Sequence, residues 1–109
     1  MKLSDKDCQS CKGNIAALTE SQIGDYLKQV SSAWEIIEKY KLRRCFQFKN
    51  FKDALHFTNR LGALAESQNH HPDILLKWGV VEVDIFTHKI KDLTENDFIL
   101  AAKCDELFN

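Results

Sequence analysis

The stretch from Phe51 to Ser67 constrains this chain more than any other. Phe51, Ala54, Leu55, Thr58, Leu61, Gly62 and Ala65 trace one continuous apolar side at helical spacing, and Asn50-Phe51-Lys52-Asp53 supplies a helix start. Pro72, the only proline, bars continuation and biases His71 toward an extended backbone. Short strands are expected on either side. Around Trp34–Tyr40 and over Lys41–Phe48 the spacing favours a hairpin, with Leu42, Phe46 and Phe48 on one parity and Arg43 and Gln47 on the other. Ile74–Trp78 and Val80–Thr87 form a second pair broken at Gly79; Val81, Val83 and Ile85 face one way, Glu82, Asp84 and Phe86 the other.

Two further helices complete the pattern. Thr19-Glu20-Ser21-Gln22 is a capping box ahead of Ile23, Tyr26, Leu27 and Val30, and Thr94-Glu95-Asn96-Asp97 caps a last helix containing Phe98, Ala101, Ala102 and Leu107. The expected order is α-β-β-α-β-β-α. It implies an α+β domain with a four-stranded antiparallel sheet and helices packed on one face. An exposed edge strand would permit dimerisation.

At 109 residues the chain is expected to form one domain over residues 15–109, preceded by a flexible polar arm over residues 1–14 that contains Gly13-Asn14. Fifteen basic residues nearly balance sixteen acidic ones, so no global field draws nucleic acid or anionic lipid. No apolar run approaches a membrane span, and Met1–Asp7 lacks the apolar core of a secretion signal. A cytoplasmic location is expected. Cys8 and Cys11 form a C-x-x-C without a second ligand pair or a strand-helix context, and read as reduced, idle thiols. Cys45 and Cys104 read as small apolar fillers.

Three of the four histidines, His70, His71 and His88, fall in one short span. Imidazole titrates near neutrality, so the cluster suggests proton transfer, metal ligation or a solvated loop. Adjacent extended residues point in opposite directions, which makes it hard for His70 and His71 to share a metal. Strand parity puts His88 on the side of Glu82, Asp84 and Phe86. The balance favours acid–base chemistry. Glu66 could orient an imidazole or be a solvated helix-end carboxylate, while Asp97 alone reads as a helix cap. Trp34 and Trp78 read as core more readily than as ligand walls.

The arrangement Glu66-x-x-x-His70-His71-Pro72, then Trp78, His88 and Asp97 at fixed intervals, resembles the signature of the pterin-4a-carbinolamine dehydratases. Trp34 and Phe46-Gln47-Phe48-Lys49-Asn50-Phe51 are similar to that family too, and the Cys8-x-x-Cys11-x-Gly13 arm resembles its bacterial members. Two positions depart from it: Ile74 where an aromatic is common, and Asn69 where an acid is frequent.

The resemblance implies a hydro-lyase without metal or organic cofactor. Its substrate would be 4a-hydroxytetrahydrobiopterin, converted to quinonoid dihydropterin so that the tetrahydropterin of an aromatic amino acid hydroxylase, its functional partner, is recycled. It implies His70 and His88 as the acid–base pair. His71, Glu66, Pro72, Asp97 and Trp78 would bind or support the substrate. It further implies a homodimer or homotetramer. The alternative it offers is a dimerisation cofactor or regulator of transcription or hydroxylase expression.

Overall fold

The computed structural model describes residues 2–9 and 15–109. After a 3-10 turn at Leu3–Asp5, the elements are α1 (Glu20–Leu27), β1 (Glu35–Ile37), β2 (Lys41–Gln47), α2 (Phe51–Gln68), β3 (Asp73–Lys77), β4 (Val80–Ile85) and α3 (Glu95–Phe108). The α-β-β-α-β-β-α order and the antiparallel four-stranded sheet agree with the sequence reading. The strands lie in the order β1-β2-β4-β3. Register follows the apolar alternation: Leu42 stands opposite Ile85 and Phe46 opposite Val81. These four side chains and Val83 are fully buried on the helix side with Ala54, Phe57 and Leu61 of α2. Arg43 instead projects from the open face, gripping Asp84 of β4 through two hydrogen bonds of 2.7 and 2.9 Å. Burial pushes Asp84 upward, but the Arg43 hydrogen bonds and charge outweigh it and hold the carboxyl below its usual range.

Helix α3 is buried over most of its length, from Asn96 through Ala102 and at Cys104, because it lies between the sheet and the N-terminal segments. It carries Asp105, which accepts from Ser31 N (2.8 Å) and Trp34 Nε1 (2.8 Å), so Trp34 is a core residue tied to the last helix. Cys104 is also in the core, and burial pushes its thiol up. Cys45 departs from the expected filler role: it is exposed on the open face beside Glu82 (3.8 Å), on the parity of Arg43.

Other differences have local causes. The first strand is shorter than Trp34–Tyr40 because Glu38 and Lys39 take positive φ (52° and 70°) to make the β1–β2 turn. The strand expected over Val80–Thr87 ends at Ile85, after which Thr87 pairs with Asp92. At the β3–β4 turn Gly79 has φ 71°, and a Cβ there would lie 3.1 Å from the Phe48 carbonyl oxygen. The stretch expected as a flexible arm is, over residues 2–9, held against α3. Leu3 is buried, Lys103 Nζ donates to Ser4 O (2.8 Å), and Gln9 N donates to Asn96 Oδ1 (2.9 Å). Cys11 and Gly13-Asn14 lie outside the described residues. Among the described residues no helix is long and apolar enough to cross a membrane.

Candidate active site

The three histidines lie at the end of the sheet where α2 ends, β3 begins, β4 ends and α3 starts. Asn69 closes α2 with left-handed φ 50° and ψ 39°, and His70 N then reaches back to Ala65 O (3.3 Å). Asparagine tolerates this conformation better than most residues, which gives its place here a structural reason. The turn drives the His70 side chain inward, leaving it 9% exposed, and sends His71 and Pro72 out toward β3.

Inside, His70 Nε2 lies 2.6 Å from Oδ1 of Asp97, which is completely buried. The second oxygen, Asp97 Oδ2, accepts from Thr94 N (2.8 Å) and from Thr87 Oγ1 (2.8 Å). Asp97 is thus both the cap of α3 and the partner of the buried imidazole. A carboxylate can only accept, so its contact with His70 requires the proton on Nε2. In the neutral ring the remaining nitrogen, Nδ1, then carries no proton.

Outside, each of the other two histidines also meets a carboxylate. His71 Nε2 pairs with Glu66 Oε2, both largely solvated. His88 Nε2 lies 3.5 Å from Asp73 Oδ1, again with both groups more than half exposed. The His88 ring packs on Phe86 at 4.2 Å between centroids, and Phe86 in turn meets Tyr40 edge-on at 5.2 Å. Phe86 and His88 share a parity because the intervening Thr87 points into the core.

The structure therefore joins His70 with Asp97, His71 with Glu66, and places His88 at the same end of the sheet through Asp73. It does not bring Trp78 to them. Trp78 sits on the β3–β4 turn, 71% exposed, whereas Asp73 and the histidines are at the opposite end of that hairpin. Ile74, near a position where the resembled family commonly has an aromatic, packs partly buried against the core. Phe86 was placed on the side of His88 by strand parity, whereas Asp73 and Thr87 were not singled out from the sequence. Asp73 directly follows the His-His-Pro run and Thr87 directly precedes His88, so adjacency to the motif was the signal available.

Among the described residues no three His, Cys, Asp or Glu side chains converge as a metal site would require. A cleft of about 670 Å³ between Leu3, Val30, Ser31 and Asp105 contains none of the histidines.

Comparison with known proteins identifies the family. A protein of Rubrobacter xylanophilus, provisionally named pterin-4-alpha-carbinolamine dehydratase, is 48% identical over 97% of this chain and 98% of its own. One of Halorhodospira halophila with the same provisional name is 49% identical over 98% of each chain. A crystal structure described as a transcriptional coactivator/pterin dehydratase from Brucella melitensis superposes with a TM-score of 0.79 at 28% identity, covering 86% of this chain and all (100%) of that one. A pterin dehydratase-like protein identified as a RuBisCO assembly factor shares the fold at a TM-score of 0.62 and 24% identity, over 71% of this chain and 90% of its own. Residues 16–107, which span all three histidines and their carboxylates, match the pterin 4 alpha carbinolamine dehydratase family, and the chain belongs to it.

Proposed function

We propose that this chain dehydrates a 4a-hydroxytetrahydropterin to quinonoid dihydropterin and water, with His70 and His88 as its acid–base pair. The observation that carries the reading is the buried His70–Asp97 contact of 2.6 Å, in a member of the dehydratase family. Two protons must move. The C4a hydroxyl must be protonated to leave as water, and N5 must lose its proton as the C4a=N5 bond forms.

Neutral His70, its Nε2–H committed to Asp97, presents Nδ1 as the base for the N5 proton, and Asp97 stabilises the imidazolium that results. His88, half-exposed beside Asp73, supplies the proton to the departing hydroxyl. Exchange with water then resets both rings. His71, backed by Glu66, and Pro72 line the pterin's approach and orient it. No step calls for a metal or an organic cofactor. In this reading the chain acts in the cytoplasm as a homo-oligomer. It returns the tetrahydropterin, biopterin-like in side chain, used by an aromatic amino acid hydroxylase.

The test generates the carbinolamine with a phenylalanine hydroxylase and follows its decay by ultraviolet absorbance. Wild-type protein should accelerate the decay above its spontaneous rate, and a His70→Ala, His88→Ala double variant should lose the acceleration. No acceleration by well-folded wild-type protein would sink the proposal. The coactivator description of the Brucella structure favours one second reading, a regulatory role. A regulator would keep its effect in the double variant.

A further inference from the structure

We infer that Thr87 is a positioning residue: its hydroxyl, donated to Asp97 Oδ2, fixes the buried carboxylate so that His70 keeps its proton on Nε2 and exchanges protons through Nδ1. The kinetic part of this inference rests on the dehydratase reading; the tautomer part does not.

Asp97 has two oxygens and three donors around them. Oδ1 meets His70 Nε2 at 2.6 Å, while Oδ2 receives Thr94 N and Thr87 Oγ1, each at 2.8 Å. Thr87 has one hydroxyl proton, and Asp97 takes it. In its 2.9 Å contact with Thr94 Oγ1, Thr87 must then accept, so Thr94 donates. The hydrogen bonds run in one direction, from Thr94 through Thr87 to Asp97. All three residues are buried, so no water replaces a missing donor cheaply.

Without Thr87 the carboxylate would be held by one donor on each oxygen, Thr94 N and His70 Nε2. A second donor on Oδ2, from a different element, narrows its remaining rotation and fixes which oxygen faces His70. Thr87 itself is held, because its N donates to Asp92 O at 2.9 Å and its carbonyl accepts from Ile90 N at 3.2 Å. The next residue is His88, which faces the other way onto Phe86. One pinned residue thus sets the state of one catalytic histidine and the location of the other.

The test compares Thr87→Val, which keeps the shape and removes the hydroxyl, with Thr87→Ser, which keeps the hydroxyl. For the valine variant kcat should fall about tenfold or more, the size expected for losing one hydrogen bond to a buried charge, with KM changed less than about twofold. The serine variant should recover kcat to within about threefold of wild type, as a hydroxyl role requires. A merely structural threonine would lower stability in the valine variant without this split.

Long-range proton–nitrogen spectra of the histidine rings give a readout independent of activity. Neutral His70 should appear as the Nε2–H tautomer in wild type and as a mixture in Thr87→Val. An Nδ1–H ring in wild type would overturn the inference whether or not the valine variant folds. So would unchanged kcat in a folded valine variant, or a serine variant as impaired as the valine one. If wild type is inactive yet shows the expected tautomer and its loss in Thr87→Val, the dehydratase reading fails and the positioning role of Thr87 stands.

Discussion

Asp97→Asn is the sharpest perturbation of this site, because it keeps the shape and removes the charge. Two donors, Thr94 N and Thr87 Oγ1, converge on Oδ2, so the amide oxygen must occupy that position. The amide nitrogen is then forced to the Oδ1 position, 2.6 Å from His70 Nε2. Two N–H groups cannot face each other there, and His70 must move its proton to Nδ1, the nitrogen proposed as the base. In a Ser-His-Asp site the equivalent tautomer error costs on the order of 10⁴ in kcat. The carbinolamine reacts spontaneously, so the observable range is narrower, and a loss of about 10²-fold or more is expected, about 3 kcal/mol of barrier.

Folding should suffer less. The oxygen that satisfies Thr87 and Thr94 is retained, and one charge-assisted contact is lost, at about 1–3 kcal/mol. For a domain of this size that lowers Tm by about 5 °C per kcal/mol. The assay is carbinolamine decay at saturating substrate, paired with a thermal melt followed by circular dichroism. A folded Asp97→Asn protein with kcat within about threefold of wild type would refute the assignment of Nδ1 as the working nitrogen.

Two further outcomes concern the scaffold. Burial and the 2.7 Å hydrogen bond to Glu95 push the Tyr26 hydroxyl up to about 12. Its neutral form is favoured in the folded state, so the associated stability is present below the unfolded value of 10.0 and is lost as pH rises from there toward about 12. Melts across that range should steepen in their loss of Tm for wild type and flatten for Tyr26→Phe; identical slopes would remove Tyr26 from the account. Gly79→Ala places a side chain at φ 71° with its Cβ 3.1 Å from Phe48 O. It should cost about 1–2 kcal/mol in chemical denaturation, without loss of kcat, since the turn is remote from the histidines.

Much of the fold was legible because burial imposes period on sequence. Val81, Val83 and Ile85 alternate with Glu82 and Asp84 because only one sheet face is covered, and α2 shows its stripe for the same reason. The first strand misled because its turn is made by Glu38 and Lys39 at positive φ, with no glycine, asparagine or proline to mark it. Residues 2–9 look like a polar arm because their one buried side chain, Leu3, and their pairings to Asn96 and Lys103 depend on partners nearly the whole chain away. At the site, the capping role of Asp97 could be read locally. Its contact with His70 could not, because it depends on Asn69 turning the end of α2 toward the start of α3. Trp78 shows the converse: spacing placed it in a motif, whereas the hairpin carries it to the far end of the sheet within one chain.

The three histidine–carboxylate pairs share one chemistry but not one environment, and the difference supports the roles proposed for them. Coulomb energy scales inversely with the local dielectric, so the same separation is worth several times more in the interior than in water. Glu66 and Asp73 are 77% and 63% exposed, and ion pairs of that kind contribute little net energy and reorganise freely. They suit groups that meet, turn and release a substrate, or that exchange a proton with solvent. Asp97 is 0% exposed, so solvent does little to screen its preference for one ring state of His70. A fixed base therefore requires the buried pair, and a proton donor that must be reloaded from water requires an exposed one. Under the proposed mechanism, the buried His70 would meet the first requirement and the half-exposed His88 the second, with Thr87 between Phe86 and His88 turned into the core.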